Sequence, residues 1–182
     1  VEDVFLQRLD HSSGSGRWHL VTLFGEQYNL HDPFAGADDL EAKIIRTVGD
    51  PHQRFQEDAL RLLRAIRFSV QLDFTLEPET LTALKTHAPL LEHVSSERIR
   101  DEFLKILTSA HAKRGIELLE ETGMLELILP ELRLAKGVAQ GGHHTTDVWT
   151  HSLDALQACP SQDPIVRLAT LLHDIAKPQT FK

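Results

Sequence analysis

Two small groups of polar residues in this sequence have types and spacing suited to chemistry. The first is Asp58 and Arg61, three residues apart in the run Glu57-Asp58-Ala59-Leu60-Arg61. On a helix such a pair shares one face, so a carboxylate that accepts and a guanidinium that donates stand side by side. That combination matches the hydrogen-bonding edge of a nucleobase, with protein standing in for a template nucleotide. The same spacing fits an ordinary helix ion pair, and spacing alone does not separate the two. The second group is His151, placed 22 residues ahead of the adjacent His173 and Asp174. Two imidazoles and a carboxylate brought together by antiparallel helices hold a divalent cation and leave positions open for water, as phosphate ester hydrolysis requires. A histidine at 151 taken alone fits a packed interior equally well.

Helices have to position both groups. From Glu57 to Val70, residues Ala59, Leu62, Leu63, Ile66 and Val70 recur at helical spacing, which predicts one helix carrying both Asp58 and Arg61. Further helices are expected over 79–86, over 96–108 with Ser95 or Ser96 as cap, over 112–122 with Gly123 as stop, and over 124–129. The glycine-rich run from Lys136 to Gly142 reads as the boundary between two packing units. Beyond it, Asp147 caps a helix to Gln157, and Asp163 with Pro164 starts another to about Ala176 that Pro178 ends. At the start of the chain, Ser12 to Gly16 reads as a flexible link and Trp18 to Leu30 as two strands around a turn at Gly25. A turn through Gly36, a short helix over 38–43 and a strand over 44–48 follow.

Composition narrows the partners. A net charge of -8 argues against gripping nucleic acid with the whole surface and leaves room for a local basic stripe. Lys105, Lys113, Arg114, Arg133 and Lys136 are candidates for phosphate contacts, and equally for solvated helix faces. Cys159 is the single cysteine, so no internal disulfide and no cysteine cage for zinc can form, and a reducing cytoplasm is expected. No apolar run approaches the roughly 20 residues that cross a bilayer, and no signal-peptide pattern opens the chain, so no membrane partner is expected.

Three blocks carry a family resemblance: DPFAGADDL from Asp32, IRTVGDPHQRFQEDALRLLRAIRF from Ile45, and SERIRDEFLKIL from Ser96. Together they resemble the segment that joins the catalytic head to the neck in class II CCA-adding enzymes and bacterial poly(A) polymerases, a likeness covering about residues 30–182. The resemblance implies that Asp58 and Arg61 read C or A in the incoming nucleotide, that Glu57 steadies Arg61, and that Arg64 and Arg67 face triphosphate or support the pocket. It implies that Glu97, Arg98 and Glu102 prop this helix, and that Asp32, Gly36 and Asp39 form the turn closing the head, where Ala35 replaces a frequent second glycine. Nucleotidyl transfer needs paired carboxylates that hold two Mg²⁺ ions. The Asp-x-Asp expected ahead of Asp32 is not in the sequence, so no catalytic residue is assigned to this chain.

The later segment, His144-x-x-Asp147 through His151 and then Leu168 to Pro178, resembles the HD superfamily of metal-dependent phosphohydrolases. Carried over, His151, His173 and Asp174 are ligands of a divalent metal and Lys177 is the basic residue that follows them; a last aspartate of the family pattern has no counterpart. The expected fold is mainly α, with a small β remnant of a nucleotidyltransferase head at 1–50, a helical neck at 51–135 and the beginning of an HD domain at 143–182. The implied function is template-independent addition of C or A to the tRNA 3′ end from CTP or ATP. Alternatives are an HD-type phosphohydrolase acting on a phosphomonoester or cyclic phosphodiester, and a non-catalytic RNA-binding module.

Overall fold

A computed structural model describes residues 5–7, 17–23, 26–138 and 147–180. The chain forms two compact units, Val1–Ile44 and Ile45–Lys182. In the first, β1 (Phe5–Gln7), β2 (Arg17–Leu23) and β3 (Glu26–Asp32) form an antiparallel sheet in the order β1-β2-β3. Its second hairpin is in register from Leu23↔Glu26 to Arg17↔Asp32; residues 24 and 25, and with them the expected turn at Gly25, lie outside the described residues. The link at 12–16 lies outside them too. Helix α1 (Gly36–Glu41) starts and ends two residues earlier than its spacing suggested. The reason is Asp32, whose carboxylate accepts from the N–H groups of Gly36 (2.8 Å) and Ala37 (2.9 Å) and so nucleates the first turn. Ala35 sits in the left-handed region at φ 57°, a conformation that costs a non-glycine residue roughly 1–2 kcal/mol and explains why glycine is favoured there.

The second unit opens on a two-stranded ribbon of β4 (Ile44–Ile45) and β5 (Thr75–Leu76), shorter than the strand expected over 44–48. Helix α2 (Pro51–Glu57) follows, started by Pro51 and by Asp50, whose side chain accepts from Gln53 N–H at 3.1 Å. Then come α3 (Leu60–Leu72), α4 (Pro78–His87), a 3-10 turn (Ala88–His93), α5 (Ser96–Leu107), α6 (Ala112–Glu121), α7 (Met124–Ile128) and α8 (Pro130–Arg133). Gly123, at φ 80°, ends α6 as expected. Ser95 stands at the start of α5, but its side chain makes no capping bond. After the loop come α9 (Val148–Ala158), α10 (Pro164–Leu172) and α11 (Lys177–Thr180).

The core is built around α3. Its Leu62, Leu63, Ile66 and Val70 are fully buried and meet Ile106 and Leu107 of α5 and Ile116 and Leu119 of α6 in one cluster. The later helices join the same cluster through Leu153, Leu156 and Leu171, with α9 on α6 and α10 on α5. The glycine-rich run therefore does not divide this body; residues 139–146 lie outside the described residues. Both ends of that segment are tied down: Asp147 accepts from Gly137 N–H (2.8 Å) and from Thr150 N–H (2.9 Å), and Val148 N–H donates to the Val138 carbonyl (3.0 Å). Arg167 locks the joint between α10 and α5. Its buried guanidinium donates to the carbonyls of Leu107, Ser109, Cys159 and Ser161, a role that no spacing in the sequence announces.

Gly115 lets α6 approach α5. A Cβ there would overlap Ile106 Cγ2 and lie 3.6 Å from Val70. Gly115→Ala is expected to destabilise the chain by about 1–3 kcal/mol; urea unfolding followed by circular dichroism checks it, and an unchanged midpoint contradicts the packing.

Candidate nucleotide-selecting and metal sites

Asp58 and Arg61 do not share one helix. Asp58 is extended (φ -151°, ψ 103°) between α2 and α3, which corrects the expectation of a continuous helix from 57 to 70. Pro51 and Asp50 start a separate helix upstream, and Asp58 then acts as a break: its Oδ1 accepts from Leu60 N–H at 3.1 Å and its carbonyl from Arg61 N–H at 3.0 Å. Both side chains nevertheless reach solvent, Asp58 at 30% exposure and Arg61 at 39%. No side-chain hydrogen bond or ion pair joins the two; each side chain has another partner.

Arg61 is held from the α2 side. Its Nη1 donates to Glu57 Oε2 (2.5 Å) and to the Arg54 carbonyl (3.0 Å). Arg54 also binds Glu57, at 3.0 Å, and fastens α2 by donating from Nε to the Val48 carbonyl (2.8 Å). Hydrogen bonds from Arg61 and then Arg54 hold the Glu57 carboxyl below its usual 4.5. Asp58 is held from α5, where Arg98 Nη2 stands 3.4 Å from both carboxylate oxygens.

The remaining residues of this group separate by face. Arg61, Arg64, Ala65 and Phe68 line an open cleft of about 230 Å³ opposite Ile45, Arg46 and Thr47, over a floor of Phe55. Arg67 is rotated about 120° from Arg61 on the helix and does not line the cleft. It is largely buried against Glu102 of α5 (3.2 Å), with its guanidinium 4.2 Å from the Phe68 ring. Glu102 also takes Lys105 at 3.1 Å. Glu97 is exposed in the first turn of α5, where a carboxylate favours the positive end of the helix. Sequence reasoning missed Arg46, Phe68 and the bracing role of Arg54; their only signal was membership of the block running from Ile45.

Most of the candidate basic stripe is committed to carboxylates: Lys105 to Glu102, Lys113 to Asp154 (2.5 Å), Arg133 to Glu120 and Glu126, and Lys136 to Glu120 (2.6 Å). Arg114 instead lines a shallow hollow with Glu117 and Glu121.

The second group does converge. His151 on α9 faces His173 and Asp174, which follow α10 because that helix stops at Leu172, short of the expected Ala176. The Nε2 atoms of the histidines lie 3.2 Å apart, and Asp174 Oδ2 is 3.7 Å from His151 and 3.2 Å from His173. A cation about 2.1 Å from each ligand produces ligand separations of about 3.0–3.4 Å; two of the three separations fall in that range and the His151–Asp174 one is a few tenths of an ångström wider, so a small side-chain adjustment brings the three atoms onto one divalent ion. His173 Nδ1 donates to the Thr170 carbonyl (2.8 Å), which leaves the Nε2 lone pair directed at the cluster. Lys177 binds the same Asp174 oxygen at 2.6 Å. Burial pushes the Asp174 carboxyl up, but Lys177 and the two histidines more than offset it, so it stays below its usual value.

Residues 73–135 match a family model described as the probable RNA and SrmB-binding site of polymerase A. The chain is 43% identical over 165 residues to an A-adding tRNA nucleotidyltransferase of Deinococcus radiodurans, a match covering 86% of this chain and 38% of that protein. It is 52% identical over 104 residues to a CCA-adding enzyme of a Geobacillus species, covering 57% of this chain and 26% of that one. The crystal structure of the Bacillus stearothermophilus CCA-adding enzyme in complex with CTP superimposes with TM-score 0.53 and 26% identity, over 93% of this chain and 57% of that one. The fold and these relatives are those of tRNA nucleotidyltransferases. The chain belongs to their class II family, the CCA-adding enzymes and bacterial poly(A) polymerases, and it spans less than half the length of the curated relatives named here.

Two measurements check the sites. Because its folded-state value is depressed, the Glu57 carboxyl carbon should titrate below 4.5 by NMR and move back up in Arg61→Ala; the ion pair is thus present above the ordinary glutamate range and lost as pH falls through the lowered value. At the second site, His151→Ala should weaken Mn²⁺ or Ni²⁺ binding by about tenfold or more in titration calorimetry, and equal affinity would exclude His151 as a ligand.

Proposed function

We propose that this chain is the nucleotide-selecting and neck portion of an enzyme that adds C or A to the tRNA 3′ end without a nucleic-acid template. Residues 1–50 would belong to the head, 51–135 to the neck, and 143–182 to the start of an HD domain. One observation carries the reading: at the head of α3 the Asp58 and Arg61 side chains both reach solvent without pairing with each other, and Arg61 lines a cleft together with the further guanidinium groups of Arg46 and Arg64. Cytosine and adenine both present an amino donor beside a ring acceptor, so one carboxylate oxygen and one guanidinium N–H satisfy either base. The Arg46 and Arg64 cations along the cleft suit the triphosphate. Among the relatives, the Bacillus enzyme was crystallised with CTP, and the Deinococcus protein adds A.

The chemistry of transfer belongs to two carboxylate-held divalent ions, for which Mg²⁺ is the natural candidate. Residues 1–182 contain no Asp-x-Asp to hold them, so this chain contributes selection and support. Such work places the protein in the cytoplasm, and no helix among the described residues is long and apolar enough to cross a membrane. A second reading, metal-dependent phosphohydrolysis at His151, His173 and Asp174, is supported by the fit of those three ligand atoms to one ion. A bound divalent ion there would supply an activated water; the protein's part is to hold the ion and, through Lys177, to keep Asp174 ionised.

The test is nucleotide incorporation into tRNA lacking its 3′ end by the full-length protein. Asp58→Ala and Arg61→Ala should each reduce discrimination for CTP and ATP over UTP and GTP by about 1–3 kcal/mol, roughly 5- to 150-fold, before triphosphate binding weakens. Unchanged selectivity in both variants would remove the base-reading assignment.

A further inference from the structure

A further pair of ligating side chains meets where α2 packs on α4. His52 stands in the first turn of α2 and His87 is the last residue of α4, 35 positions away in sequence. Both rings are half-buried, and His52 Nδ1 lies 3.0 Å from His87 Nε2. The ring planes cross at 70° with centroids 5.1 Å apart, so the rings meet edge to edge rather than stacked. Two imidazole nitrogens this close need something between them: a proton carried by one, or a cation that takes a lone pair from each. The outer nitrogens, His52 Nε2 and His87 Nδ1, have no hydrogen-bond partner among the described residues, so no neighbour fixes where either ring carries its proton. In a neutral pair the proton between the rings is therefore able to move to an outer nitrogen, and both inner lone pairs become available at once.

We propose that His52 and His87 form a site for one divalent transition-metal ion, of the class of Zn²⁺ or Ni²⁺, that clips α2 to α4. Metal–nitrogen distances of about 2.1 Å put two ligands of one ion about 3.0–3.4 Å apart, and the observed separation lies at the lower end of that range. The lone pairs converge on the ion once each ring turns slightly about its outer torsion, which is soft in histidine. No third His, Cys, Asp or Glu among the described residues joins the pair, so water fills the other coordination positions and the protein offers nitrogen alone. Such a donor set suits Zn²⁺, Ni²⁺ or Cu²⁺ and is poor for Mg²⁺ and Ca²⁺, which take oxygen. The site thereby differs from the cluster of His151, His173 and Asp174, which includes a carboxylate. The end of α4 also carries the negative pole of that helix, which favours a cation beside His87. Its place has a structural consequence: the last turn of α2 holds Arg61 through Glu57 and the Arg54 carbonyl, and an ion at the first turn fastens the same helix to α4.

The experiment titrates the full-length protein, labelled with ¹⁵N at histidine, with Zn²⁺ and follows each imidazole by ¹H–¹⁵N correlation NMR. His52 Nδ1 and His87 Nε2 should shift together with one dissociation constant, leaving His52 protonated on Nε2 and His87 on Nδ1. Mg²⁺ at the same concentration should move neither. The variants His52→Ala and His87→Ala assign the resonances and carry the decisive comparison. Each should weaken the response of the remaining ring by about tenfold or more, because the second ligand no longer acts at high local concentration. His52→Gln and His87→Gln take their place if the alanine variants fail to fold. A ring that answers Zn²⁺ equally with and without its partner binds the ion alone, and rings that keep a proton between them throughout form a hydrogen bond only. Either result overturns the site, as does an equal response to Mg²⁺.

Discussion

The break in the chain at Asp58 is the constraint on which the rest of the site depends. Had the backbone stayed helical from Pro51 to Leu72, Asp58 and Arg61 would project along one face and form a surface ion pair of little consequence. Instead Asp58 is extended, its side chain caps the next helix, and its free edge turns toward α5. Arg61, one turn into α3, is drawn back toward α2 by Glu57 and the Arg54 carbonyl. Two charges adjacent in sequence are thereby held apart in space, each by a partner on a different element. An acceptor and a donor kept uncombined are what recognition of a polar edge requires.

Such an arrangement needs a rigid backing, and α3 supplies it by dividing its faces. Leu62, Leu63, Ile66 and Val70 are fully buried against α5 and α6. Arg61, Arg64 and Phe68 line the cleft on the opposite stripe. Between these two faces the largely buried Arg67–Glu102 pair ties α3 to α5. Removing Glu102 would take from Arg67 its carboxylate partner in a low-dielectric setting, which is far more costly than losing a surface pair, whereas Glu102 without Arg67 would still have Lys105. The helix that presents Arg61 and the helix that presents Arg98 are thus fixed to each other by the same contacts that build the core.

The histidine cluster follows the same logic at the other end of this unit. α9 and α10 are anchored to α6 and α5 by apolar packing and by the buried Arg167, and the chain then turns tightly after Leu172. That turn places Asp174 against His151 across the helix pair. Both sites are therefore made at helix ends, where the backbone changes direction and side chains from separate elements meet.

Much of this was legible in the sequence. Apolar spacing marks α3, α5 and α6, the caps Asp147 and Asp163 mark α9 and α10, and the resemblance blocks point to Asp58, Arg61, His151, His173 and Asp174, because helical periodicity and capping act over a few neighbouring residues. Where α2 gives way to α3 was not legible: Asp58 fits a helix interior by periodicity, and only its own bonds to Leu60 and Arg61 make it a break. The partners at long separation were equally hidden. Arg98 on Asp58, Glu102 on Arg67 and Arg167 on the α5 carbonyls join residues 35 to 60 positions apart. Sequence by itself determined which residues carry charge and which faces must be buried. Tertiary packing alone decided which charges meet, since an ion pair between elements exists only once the apolar faces beneath it have fixed their distance.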